Sequence, residues 1–171
     1  MDEQQKKALE NLRRRPKTSK EDFAFLRPYW SKAIEMLKSY GERYRSHVQD
    51  LPQPWRAIYT TFRLDAEVRN GGFHQYFWNG EGLMNAATEE DLGRVGATGI
   101  QEIFQRAVAC FVDFDVAGEK RRSENTWEEF TAGYTTIPWE KLDTEFYEAS
   151  PTLFAQVAKY VREHPGEFNL G

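Results

Sequence analysis

The chain contains one cysteine, three histidines and no long apolar run, and each shortage excludes something. A lone Cys110 forms no internal disulfide, and its setting in Ala107-Val108-Ala109-Cys110-Phe111-Val112 reads as a core thiol. His47, His74 and His164 share no ligand spacing, so neither a metal site nor a cofactor is expected. No stretch approaches the roughly 20 apolar residues of a membrane-crossing helix. The start, Met1-Asp2-Glu3-Gln4-Gln5-Lys6-Lys7, leads into charge instead of an apolar signal region, so the expected location is cytoplasmic. Alternating runs bounded by turns are absent apart from Thr135-Thr136-Ile137, a weak strand candidate. Glycine-rich phosphate loops, nucleophile elbows and His-Glu-x-x-His are missing too, which weakens an enzymatic reading.

What is present suffices for a core. Of 171 residues, 40% are apolar and 15% aromatic, and a chain of this size buries roughly 70% of its unfolded surface as one domain. Helix signals recur throughout. Asp2 to Arg15 reads as a polar helix or frayed arm ending before Pro16, and Ser19 reads as an N-cap with acids in the first turn. Trp30, Ile34, Leu37, Tyr40 and Tyr44 repeat at three- and four-residue steps, predicting a helix from about Tyr29 to Arg45. The helix from Pro54 to Asn70 carries apolar residues on two sides, which predicts a central position.

Thr88, followed by Glu89, Glu90 and Asp91, reads as another N-cap. A strongly apolar helix follows over Ile100 to Phe114. Val116 to Asn125 reads as a charged linker, and Thr126-Trp127-Glu128-Glu129 fits a reciprocal capping box. Two more helices are predicted, from Pro138 to about Glu148 and from Ser150-Pro151 to before Pro165. The expected fold is all-α, a compact multi-helix single domain over residues 49–171, with a basic helical extension, residues 1–48, ahead of it.

The net charge of −4 conceals an uneven split. Residues 1–48 carry 12 Lys and Arg against 7 Asp and Glu, while residues 49–171 carry 11 against 20. This pattern fits a basic arm on an acidic body, or two solvated faces that complement each other. The patch Arg13-Arg14-Arg15-Pro16-Lys17 invites phosphate, but the acidic body repels a nucleic-acid backbone, so direct nucleic-acid binding is not expected.

Residues 65–79 are the most distinctive stretch. A polar helical end runs into Asn70-Gly71-Gly72, where adjacent glycines supply the positive φ that stops a helix, and the chain restarts in the aromatic Phe73 to Trp78. Arg69, four residues after Asp65, is the expected partner of that carboxylate. Asp65, Asn70, Gln75 and Asn79 read as caps and as pins for the aromatic segment. A rival reading places a small-molecule or catalytic site at the turn, with His74 as general base and Glu67 or Asp65 orienting it.

The string Asp65-x-Glu67-x-x-Asn70-Gly71-Gly72-Phe73-x-Gln75-x-Phe77-x-Asn79 resembles the signature of the bacterial DNA-mimic-protein domain family, formerly a domain of unknown function. The likeness continues through Gly93-x-x-Gly96-Ala97, the Trp127 to Tyr134 stretch, Leu142-Asp143-x-x-Phe146-Tyr147 and Tyr160-Val161-Arg162-x-His164-Pro165-x-x-Phe168, and so covers residues 52–168. It implies a helical, often dimeric, non-enzymatic protein whose carboxylates take the place of DNA phosphates and occupy a DNA-binding protein such as a transcription regulator.

Mimicry of that kind asks for carboxylates at nearly the density of phosphates, about one per 1.7 Å of duplex axis. Four sets are candidates for contact with such a basic partner. They are Glu89, Glu90 and Asp91; Asp113, Asp115 and Glu119; Glu124, Glu128 and Glu129; and Glu140, Asp143, Glu145 and Glu148. Against them, first helical turns attract acids for dipole reasons alone, and Lys120-Arg121-Arg122 interrupts the most acidic run. An immunity- or scaffold-type protein with an apolar interface is the remaining alternative.

Overall fold

The computed structural model describes residues 19–115 and 139–170. These residues form six α-helices and no strand: α1 (Lys20–Leu37), α2 (Gln53–Trp78), α3 (Asn85–Arg94), α4 (Thr98–Asp115), α5 (Trp139–Ala149) and α6 (Leu153–Glu163). The expected arm over residues 2–15, the linker over 116–125, the capping box at Thr126 and the strand candidate at 135–137 lie outside the described residues.

The helix α2 is the axis of the molecule. Proline stands in its first turn, where a missing N–H leaves no bond unmade. Of residues 55–68, all but Arg63 and Ala66 are buried, because α1, α3, α5 and α6 all pack against it. The expectation of a central helix is met. A main core gathers around Phe62, Leu64, Phe73, Tyr76, Phe77, Phe104 and Phe146, and a smaller one around Ala33, Leu37, Val48, Trp55 and Tyr59. Cys110 is a free, half-buried thiol against the main core. The tail is tied down by Phe168, whose ring meets those of Trp55, Tyr29 and Tyr160 at 5.3, 5.6 and 6.0 Å.

Three expectations need correction. The helix placed at Tyr29 to Arg45 begins earlier, directly after Ser19, whose Oγ accepts the Asp22 N–H at 3.3 Å. It passes through Pro28, since Pro28 and Ala24 are both exposed and the carbonyl freed by proline meets solvent. It also stops sooner, at Leu37, and tightens into a 3-10 segment, Lys38–Asp50, broken by Gly41 at φ 56°, ψ −133°. The third concerns Thr88, which is no cap: α3 already begins at Asn85, and the fully buried Thr88 hydroxyl meets the Tyr76 hydroxyl at 3.2 Å.

Candidate functional site

The Asn-Gly-Gly-Phe turn divides α2 into two helical halves. Gly71 (φ −148°, ψ 25°) and Gly72 (φ 75°, ψ −179°) leave the helical region, and the chain resumes its helix at Phe73. That restart exposes new N–H groups, and Asp143 of α5 caps one of them, accepting the Phe73 N–H at 2.8 Å. A Cβ on Gly72 would fall 2.8 Å from the Asp143 Cγ, so glycine is required by both the backbone angle and the approaching carboxylate. At Gly71 an added Cβ would lie 2.9 Å from the Gln75 Cβ.

Glu67 holds the two halves together from the side. Its Oε2 accepts the amides of Gln75 and Asn79, each at 2.7 Å, and its Oε1 accepts Arg63. Gln75 in turn accepts the Asn70 amide at 3.0 Å. A parallel network starts at Asp65, which takes the expected Arg69 at 2.8 Å; Arg69 also donates to the buried Ser150 hydroxyl at 2.6 Å. Burial pushes the Asp65 carboxyl above its usual range, with Arg69 pulling against it. Tyr147 of α5 donates to the Val68 carbonyl at 3.0 Å. Beyond the turn, Phe73 meets Phe146 edge-on at 5.5 Å, and Phe77 stacks on Phe111 at 4.3 Å.

His74 is buried beside Trp78, with ring centroids 5.9 Å apart. The bonds of Asp65 go to Arg69, and those of Glu67 go to Arg63, Gln75 and Asn79. Among the described residues, no group of three His, Cys, Asp or Glu side chains is placed to hold a metal ion, and no helix is long and apolar enough to cross a membrane.

The acidic candidates separate into distinct environments. Asp91 is fully buried and belongs to a cluster that the sequence did not reveal. Arg56 reaches it with Nε at 2.9 Å and Nη2 at 2.8 Å, Thr60 adds a hydroxyl at 3.0 Å, and the same Nη2 donates to Glu90 at 2.7 Å. The Asp91 hydrogen bond, first among the causes, holds Arg56 protonated well above its ordinary value, whereas burial pushes Asp91 upward. Arg94 bonds Glu90 from the other side at 2.9 Å. Glu89 accepts Gln105 at 2.8 Å. Asp143 is turned inward as the cap of Phe73. Asp91 and Asp143 are thus withdrawn from any surface a partner can touch.

On α5, Glu140 and Glu148 are exposed, and Glu145 bonds Arg106 of α4. That hydrogen bond holds Glu145 below the usual carboxylate range. Trp139 lies against Phe77, which stacks on Phe111, so the start of α5 lies by the end of α4 and the two run antiparallel. Asp113 and Asp115 occupy the last turn of α4, while Glu119, Glu124, Glu128 and Glu129 lie outside the described residues. Neither buried pairing partner was obvious from spacing. An arginine inside the apolar run Trp55-Arg56-Ala57-Ile58 was the one available signal that a buried anion must exist.

No curated protein and no solved structure matches the chain. A family model described as DMP19-like protein matches residues 49–164, which takes in the glycine turn, the Glu67 network and the antiparallel α4–α5 pair. On that match the chain belongs to the DMP19-like family, the family of DNA mimic proteins.

Proposed function

We propose that this protein is a DNA-mimic-type binding module that offers the α4–α5 face to a DNA-binding protein and performs no chemistry of its own. The observation that carries the reading is a concentration of charge on two adjacent helices. Besides the inward-turned Asp143, α4 and α5 hold six acids, Glu102, Asp113, Asp115, Glu140, Glu145 and Glu148, against Arg106 and Lys141. On that face one acid, Glu145, is paired, with Arg106, and on other elements Asp22 pairs with Arg162, Glu35 with Lys32, Glu90 with Arg94 and Glu163 with Lys159. The DNA mimic family is not enzymatic in general.

On this reading the Asn-Gly-Gly-Phe block serves as scaffold. Glu67, Asn70, Gln75 and Asn79 bond one another and lock the bend of α2, and the bend sets Phe73 and Phe77 against α4 and α5. The motif would then fix the spacing of the acidic pair without touching the partner. A second copy of the chain joined alongside would lengthen the acidic row.

The test is capture on immobilised protein, comparing the native chain with a Glu102→Lys, Glu148→Lys variant. The expected result is retention of a DNA-binding protein that is displaced by salt and by competing duplex DNA, and lost in the variant. Capture that ignores salt, DNA and both reversals would overturn the proposal in favour of an apolar interface.

A further inference from the structure

A cavity of about 420 Å³ opens between α1, the 3-10 segment after it and α2, and it shares no residue with the α4–α5 face. Its size falls within the roughly 300–1,000 Å³ of small-molecule sites. Aromatic residues line the walls. Trp30 stacks on Tyr59 at 5.4 Å, and Tyr44 meets Tyr59 edge-on at 6.4 Å, with Ile34 beside them. At Gly41 the wall is bare backbone, since an added Cβ there would meet nothing within 4 Å.

Among the described residues that line this cavity, the charged ones are Lys38 and Arg63, and both are positive. Lys38 is exposed and makes no ion pair among the described residues. Arg45 lies just outside, its guanidinium 4.8 Å from the centre of the Tyr44 ring. Positive charge around flat aromatic walls selects against cations and rewards a ring that carries an anion. Arg63 also faces inward to Glu67, so an anion here would join the hydrogen-bond network of the Asn-Gly-Gly-Phe block.

We infer that this cavity binds a small planar aromatic anion, its ring against Trp30 and Tyr44 and its acid group toward Lys38 and Arg63. The inference goes beyond the proposed protein partner, and it stands or falls separately, because the two sites have no residue in common.

Anilinonaphthalene sulfonate is a suitable probe, titrated by fluorescence into the full chain, with uncharged phenylnaphthylamine in parallel. Saturable one-to-one binding of the sulfonate is expected, with amide NMR shifts centred on Ile34 and Gly41. Lys38→Glu, at an exposed position that leaves the fold intact, should weaken it by about tenfold. Lys159→Glu on α6 should leave the affinity unchanged, and the uncharged probe should bind more weakly than the sulfonate. Equal affinity in the Lys38→Glu variant and the native chain would overturn the assignment. So would shifts centred on other residues, or many weak sites instead of one.

Discussion

Replacing Gly72 by alanine should destabilise the fold by about 1.5–5 kcal/mol, and the structure supplies both parts of that figure. At φ 75°, ψ −179° the backbone sits in a region that is essentially glycine-only, which costs another residue about 1–3 kcal/mol. The new Cβ would also stand 2.8 Å from the Asp143 Cγ, so the carboxylate must withdraw from the Phe73 N–H. Losing such a cap costs a further 0.5–2 kcal/mol or so. Asp143→Ala alone removes only the cap. In the double variant the clash is already relieved, so the two costs should fall short of their sum by about 0.5–2 kcal/mol. Urea unfolding followed by far-ultraviolet circular dichroism, with an unchanged slope, reads all three variants. Strict additivity, or a cost below about 1 kcal/mol for Gly72→Ala, would refute the account of why two glycines stand at this turn.

The remaining predictions concern the buried charges. Arg56→Ala leaves Asp91 buried without its guanidinium and should cost about 3–5 kcal/mol in the same urea assay, while Arg56→Met with Asp91→Leu should recover much of it. Glu67→Ala releases the amides of Gln75 and Asn79, and an expected loss of about 1–3 kcal/mol should come with altered near-ultraviolet dichroism from the aromatic segment. Asp65 gives a pH signature. Burial raises its folded carboxyl above the usual carboxylate range, so folding takes up protons there and this group adds stability as pH falls through it. The stability of the native chain relative to Asp65→Asn should therefore rise from about pH 7 to about pH 4, and a fall would mean that attraction to Arg69 outweighs burial.

What the sequence revealed was local. The Ser19 cap, the two-sided apolar pattern of α2, the glycine break and the Asp65–Arg69 pair all depend on residues within four positions of one another, and the structure contains each of them. What it concealed was long-range. Asp91 read as a first-turn acid, yet its partner Arg56 stands 35 residues away. Asp143 read as part of an acidic row, yet it caps an N–H 70 residues earlier. Composition treats all carboxylates as surface, and only the packing of α3 and α5 onto α2 decides that Asp91 and Asp143, of the candidate acids, turn inward. The apolar repeat from Trp30 also concealed the first turns of α1, which run through Pro28, since a proline on an exposed helix face is tolerated where one in the core would break the helix.

The withdrawal of those two acids changes the arithmetic of mimicry. The 18 residues of α4 span about 27 Å, a length over which duplex DNA carries about 16 phosphates. With Asp143 turned inward, α4 and α5 retain six acids against Arg106 and Lys141, a net charge of about a quarter of the duplex value. A partner attracted by charge alone would prefer DNA. If the chain is a mimic as proposed, its selectivity must come from shape and apolar contact around the carboxylates, which salt does not screen. On the proposed reading, release of the partner by salt should accordingly be more gradual than its release from DNA. On the same reading, the rigidity that Glu67 and Asp143 give the bend of α2 would make such shape recognition attainable, because it fixes where α4 and α5 stand.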